Sequence, residues 1–277
     1  MNRLDINKRA QVLKALVEGA SIRATVRMTG VAKNTVTKLL VDLGRACTSF
    51  HDKNVRNVSS RRVQCDEIWC FCYAKEKNVT PEQKAKGAGD VWTWVAIDAD
   101  IKLVLSYLCA SRDAASAYDF MEDLASRVTT RIQITTDGHR AYAEAVEGAF
   151  GMDVDYAMLI KLYGAPSEKY DTRYSPSEMV STRTAVLSGT PDVRHISTSF
   201  VERQNLTMRM QMRRFTRLTN GFSKKRANLE AAVAVHYVFY NFCRIHQSLR
   251  VTPAMEAGLT DHVWSVEELI SLLENSN

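Results

Sequence analysis

The sequence predicts an α/β protein: a small N-terminal helical bundle followed by a mixed β-sheet flanked by helices. Three observations carry that expectation. Apolar spacing is helical over the first 45 residues and strand-like after residue 62. From there strands and helices follow in the order β-β-β-α-β-α-β-α. At 277 residues, 45% apolar and 25% charged, the chain is long enough for a full core plus a small appendage, with ordinary globular composition.

The first block reads as three short helices. "NKRAQVLKALVEG" sets Ala10, Leu13, Ala15 or Leu16, and Val17 on one face and stops at Gly19. "ASIRATVRMTG" starts at the N-cap candidate Ser21, turns Ile22, Val26 and Met28 inward, and ends at Gly30. "KNTVTKLLVDLGRA" follows after only two residues, with Val36, Leu39, Leu40 and Leu43 apolar. This is a helix-turn-helix pattern. Its third helix exposes Lys33, Asn34, Thr35, Thr37 and Lys38, side chains suited to phosphates and base edges in a major groove. A helical bundle that touches no nucleic acid is the alternative. Residues 46–62 lose periodicity and gain polar and basic residues, which marks a linker between domain 1–45 and domain 63–250.

Beyond the linker, "RVQCDEIWCFCYA" and "VWTWVAIDADIKLVLSYLCAS" read as three antiparallel strands, the last two joined by a hairpin turn at "DADIK". "RDAASAYDFMEDLASRV" is an amphipathic helix, "RIQITTD" a buried strand, "GHRAYAEAVEGAF" a helix and "VDYAMLIKL" a fifth strand. Segment 163–196 has no clear period and reads as a loop or insertion; a long helix opens at Ser197 to Ser199. Residues 251–277 form an acidic helical tail. That element order is the arrangement of a ribonuclease-H-like domain.

Charge is distributed in blocks. Residues 1–65 carry a net +9, residues 66–202 a net −7, residues 203–250 again +9, and the tail −5. Basic blocks suit a polyanion such as DNA, while an acidic centre suggests cation binding. No run of about eighteen apolar residues occurs, and "MNRLDINKRAQ" lacks the apolar core of a secretory signal. The expectation is a cytoplasmic, nucleoid-associated protein without a membrane partner. Its six cysteines then read as reduced thiols, and "CDEIWCFC", with no second paired set at ligand spacing, reads as core rather than a zinc site.

Three carboxylates stand at element ends. Asp66 lies inside an apolar strand, where an unpaired acid is costly. Asp137 sits at the end of the strand "RIQITT", before a glycine, where α/β folds commonly mount function. Glu202 occupies the first turn of the helix after "STSF". Converging, three such acids would hold Mg²⁺ or Mn²⁺, with two ions about 3.5–4 Å apart able to clamp a phosphodiester displacement. On the last helix Val201, Met208, Met212 and Phe215 face the core, and Glu202, Asn205, Arg209 and Arg213 form the adjacent stripe. Its acid then holds metal while Asn205 and Arg209 meet the bound strand. An exposed helix with Glu202 paired to a neighbouring arginine is the bland alternative.

"CDEIWCF", "TTDGHRAY" and "HISTSFVERQNLTMRMQMRRFTRLTNGFSKK" resemble the three acidic motifs of DDE transposases of the insertion-sequence-one type, including the basic residue seven after the Glu, here Arg209. The likeness covers residues 63–250. It implies a ribonuclease-H-like catalytic domain, Mg²⁺ or Mn²⁺ dependence, and cleavage and joining of element ends to target DNA. Asp66, Asp137 and Glu202 would be both catalytic residues and metal ligands, and synapsis of two ends implies a homodimer or larger assembly. Members often carry a zinc-finger segment before the helix-turn-helix; none stands in this sequence, leaving end recognition to residues 5–45. Two other functions stay open: a helix-turn-helix regulator whose second domain only dimerises, and a ribonuclease-H-like nuclease that does not join strands.

Secondary candidates complete the reading. Glu67 points to the opposite strand face from Asp66 and should be exposed, and Asp98 makes a turn. His139 and His195 flank the motifs, within reach of DNA or the leaving oxygen in one reading, but as lone histidines they read first as structural. Trp69, Trp92 and Trp94 read as sheet core. The terminal helix buries Ala231, Val235, Val238 and Phe242, leaving Tyr240, Asn241, Arg244 and His246 as candidates for DNA, with core packing the preferred reading for the aromatics.

Overall fold

The computed structural model describes residues 4–164, 179–216 and 219–274. Helix α1 (Ile6–Val17) is capped by Asp5, which accepts from Lys8 N at 2.8 Å; α2 (Ile22–Thr29) is capped by Ser21 and ends at Gly30 in the left-handed region, φ 70°. α3 (Lys33–Asn54) follows, and Val12, Val31 and Val36 form a small core among the three helices. Met28, expected inward, is 62% exposed; α2 instead buries Thr25 and Thr29, whose hydroxyl donates to Thr25 O at 2.7 Å. That bond satisfies the hydroxyl inside the helix, so threonine replaces an apolar residue at no polar cost.

Residues 46–54, read from the sequence as linker, continue α3, and the chain is irregular only over 55–61. Its polar text hid a buried stripe of Leu43, Cys47 and His51. Gly44 lets α3 cross α8 (Arg226–Val238) closely: a β-carbon there would lie 2.4 Å from Ala231 Cα. His51 is buried, donates from Nε2 to Val104 O at 3.2 Å and packs edge-on to Tyr107.

The sheet orders its strands β3-β2-β1-β4-β5-β6. β1 (Arg62–Cys72), β2 (Gly89–Asp98) and β3 (Val104–Ala110) are antiparallel; β4 (Ile132–Thr136) runs parallel to β1, and β5 (Val154–Tyr163) parallel to β4. A mixed sheet flanked by helices is what the ribonuclease-H-like expectation requires. The short α4 (Pro81–Ala85) lies in the β1–β2 connection. Register separates the faces: Asp66, Val95 and Tyr107 align on one, and Glu67, Trp94 and Leu108 on the other. α5 (Ala114–Ala125) and α6 (Ala141–Phe150) cover the second face, where Phe120 and Tyr142 pack on Trp94; α3, α8 and α7 (Ser199–Gln211) cover the first.

Segment 163–196 is not all loop. β6 (Met179–Ser188) pairs antiparallel with β5 at the sheet edge, its side chains mostly exposed on both faces, so no alternation marks it in sequence. The part of that reading on 165–178 lies outside the described residues. The helix opening near Ser199 ends at Gln211 rather than running to Phe215; Met212 turns to extended geometry, yet both side chains stay buried. After α8 a π-helical turn spans Phe239–Cys243 and buries Tyr240, as core packing of the aromatics requires, and Asn241, against the expectation of DNA contact; Asn241 Nδ2 donates to Val104 O at 2.9 Å. α9 (Pro253–Glu256) and α10 (Val266–Ser271) close the chain, with Trp264 against Phe50 and Phe242. All six cysteines are free thiols, and no helix among the described residues is long and apolar enough to cross a membrane.

Two stability outcomes follow from this packing. Gly44→Ala should lower the unfolding free energy by about 2 kcal/mol in urea titrations, because its methyl meets backbone, while Gly30→Ala should cost about 1 kcal/mol from backbone strain alone. Burial, aided by the Arg127 charge, pushes the His51 pKa down to about 4. The neutral form is favoured in the folded state, so stability is full above the unfolded pKa of about 6.5 and falls as pH drops toward 4, by at most about 3 kcal/mol. The midpoint urea concentration measured from pH 7 to 4.5 should fall, and His51→Gln should flatten that dependence.

Candidate functional site

β1 and β4 align Cys65 with Thr136, so the next residue of each strand, Asp66 and Asp137, emerges side by side. Carboxylate oxygens of Asp66, Glu67 and Asp137 lie within 4.8 Å of one another, the one such grouping of possible metal ligands among the described residues. Asp137 also accepts from His139 N at 2.9 Å, a local turn that orients it at the strand end.

α7 is docked onto β1 by two contacts. Gln64 Oε1 accepts from the N–H groups of Phe200 (2.8 Å) and Val201 (3.2 Å), filling the orphan donors of the helix N-terminus. One turn on, Asn205 Nδ2 donates to Asp66 Oδ2 at 2.9 Å. Val201 and Met208 bury the same helix face. Glu202, one turn before Asn205, stands outside the close grouping: its Oε1 is held by Lys161 of β5 and the Thr198 hydroxyl, and its side chain is 41% exposed. It lies near enough for its charge to act on Asp66.

Burial pushes the Asp66 carboxyl up to about 6, the Asp137 charge adds to it, and the Asn205 hydrogen bond opposes it. Glu67 rises to about 7 for the same two leading reasons, burial and Asp137. Strand alternation starts Glu67 on the face opposite Asp66, but that face is covered and its carboxylate reaches the grouping with Asp66 and Asp137, so it is 1% exposed and a possible ligand rather than solvated. Arg112 Nε donates to Glu67 Oε2 at 3.0 Å, and Arg112 Nη2 lies 3.6 Å from Asp137 Oδ2, so one guanidinium bridges two acids. The buried Tyr142 hydroxyl lies near enough to lower the Glu67 pKa, although neither it nor Glu67 Oε1 completes a hydrogen bond.

The other expected site residues divide. Lys33, Asn34 and Thr35 are exposed in the first turn of α3, whereas Thr37 is half-buried with its hydroxyl donating to Lys33 O, and Lys38 pairs with Asp42. Asn205 is turned to Asp66 and buried. Arg209 is half-buried on α7, and Arg213 is exposed beyond its end. Asp98 makes the expected turn, accepting from the N–H groups of Asp100 and Ile101. The His139 ring packs against Trp94 and Tyr142, and His195 is exposed with its ring beside Arg62. Sequence reasoning missed Gln64, Arg112 and Lys161. A glutamine within apolar strand text was a signal for Gln64; Arg112 and Lys161 carried none.

No protein-family model matches the chain, and no curated protein matches it. Among solved structures the chain is similar to a piggyBac transposase synaptic complex with hairpin DNA, at 10% identity and TM-score 0.41, covering 97% of this chain and 69% of that one. It is also similar to a Mos1 transposase paired-end complex with left transposon end, at 15% identity and TM-score 0.22, covering 53% of this chain and 58% of that one. A Mos1 strand transfer complex shows 14% identity, TM-score 0.25, and coverage of 85% and 78%. Scores this low leave the chemistry of the site to its own geometry.

Replacing Gln64 with Leu should leave two helix N–H groups unpaired and lower stability by about 1–2 kcal/mol. Urea denaturation measures it, and Gln64→Glu, which keeps an acceptor, should recover most of the loss.

Proposed function

We propose that the protein is a transposase that cleaves DNA at the ends of an insertion sequence and joins the freed ends to target DNA with a divalent metal. The observation that supports this most is the β1–β4 register, which sets Asp66 beside Asp137 in a carboxylate group with too few cations to neutralise it. Carboxylate oxygens are hard donors suited to Mg²⁺ or Mn²⁺, and the Asp66 pKa is raised first by burial and then by the Asp137 charge, both of which a divalent ion would offset, so the donor set fits the metal. Bound as two ions, the metal would activate water and stabilise the leaving oxygen of a phosphodiester.

In this reading Asp66 and Asp137 hold the metals, and Glu202 completes the set from α7 once Lys161 yields it. Asn205 fixes the Asp66 carboxylate instead of touching DNA. Arg209 and Arg213 bind the scissile strand, and residues 1–45 bind duplex ends through Lys33, Asn34, Thr35, Thr37 and Lys38, with 63–250 as the catalytic domain. Two copies at least would pair two ends, in the nucleoid. The motifs of the third acidic segment favour the insertion-sequence-one type.

The test is incubation of the full chain with its own element ends and Mg²⁺. Wild type should yield nicked and joined products, EDTA should abolish both, and Asp66→Asn or Asp137→Asn should lower cleavage by roughly a thousandfold or more, consistent with loss of several kcal/mol of charge stabilisation. Cleavage without joining would favour a nuclease, and duplex binding without cleavage a regulator.

A further inference from the structure

β1 carries a row of aromatic side chains past the acid cluster that the proposed chemistry does not use. Residues 67, 69 and 71 share a sheet face, and Trp92 of β2 stands opposite Trp69 on it. At Glu67 this face is sealed by Trp94 and Tyr142, but Trp69, Phe71 and Trp92 are only half-buried. Phe222 extends the row: Tyr73 N donates to Ser223 O at 2.8 Å and lays that segment along the strand end. Ring centroids are 5.8 Å apart for Trp69 and Phe71 and 4.7 Å for Phe71 and Phe222, tilted by 39° and 36°.

Cations lie over these rings. Arg112 sits 4.9 Å from the Trp92 centroid, Lys75 5.7 Å from Trp69, and Lys224 3.6 Å from Phe222. Arg112 is the residue that bridges Glu67 and Asp137, so the row begins at the acid cluster. The acids along the row are engaged: Glu67 and Asp137 by Arg112, Asp90, opposite Phe71, by Glu76 N, and Glu76 by Lys84.

We propose that Trp92, Trp69, Phe71 and Phe222 form a stacking platform for unpaired bases of a DNA single strand approaching the acid cluster, with Lys75 and Lys224 meeting its phosphates. Half-exposed rings interleaved with cations suit that ligand, because every base offers a π-face and each linkage an anion. The inference rests on DNA being the substrate, but its test needs no catalysis.

Full-length protein in EDTA is titrated against fluorescein-labelled oligo(dT) of about 20 nucleotides and against a duplex of equal length. Trp69→Ala should weaken oligo(dT) binding about tenfold, Trp69→Phe should retain most of it, and duplex affinity should stay unchanged. The Lys75→Ala, Lys224→Ala double variant should bind oligo(dT) with a shallower salt dependence. Unchanged oligo(dT) affinity in Trp69→Ala with a native circular-dichroism melt overturns the platform. So does a drop in sedimenting mass for that variant with oligo(dT) affinity intact, which would make the face a contact between copies. Failure of cleavage with the tenfold effect present would sink the transposase reading and leave the platform standing.

Discussion

The parallel register of β1 and β4 is the constraint on which the site depends. Strand pairing puts Cys65 against Thr136, and the backbone then has no choice but to deliver Asp66 and Asp137 together at the point where β4 leaves the sheet while β1 runs on to Cys72. Two carboxylates so close repel, and burial of Asp66 deepens the cost. The surrounding structure answers with donors from separate elements: Asn205 from α7, the His139 N–H from the turn after β4, and Arg112 from the segment before α5. Each donor serves one acid, while Arg112 serves two. The cluster therefore holds together while keeping more negative charge than its partners cancel.

α7 is the second half of the arrangement. A helix N-terminus carries unsatisfied N–H groups, and Gln64, two residues before Asp66 on the same strand face, accepts from two of them. The strand that carries the first acid thus fixes the helix that carries the last. Glu202 is left at the rim, paired with Lys161, half-way between a ligand and a surface ion pair. Glu67 shows the opposite case: an acid on the other sheet face, fully enclosed, whose ion pair with Arg112 ties the covered face to the open one.

Much of this was legible in the sequence. Strand alternation and helical spacing located β1 to β5, α1 to α3 and α5 to α8 because each buries one face, and that leaves a period; α4, which buries no residue, left none. β6 left none, since both of its faces meet solvent, and α3 ran past its expected end because Cys47 and His51 are buried within polar text. Asp66 and Asp137 could be placed from their positions at strand and strand end. The pairing of Asn205 with Asp66 could not: spacing puts Asn205 on the Glu202 stripe but does not say what that stripe faces. Asn241 was misplaced because a π-helical turn rotates the helix face just there.

Isothermal titration of the purified chain with Mn²⁺ addresses the central claim most directly, since it asks whether the carboxylates hold a cation at all. The account predicts saturable binding that disappears in Asp137→Asn and weakens in Asp66→Asn, each variant retaining its fold. Absence of binding by wild type, or equal binding by Asp137→Asn, would contradict it.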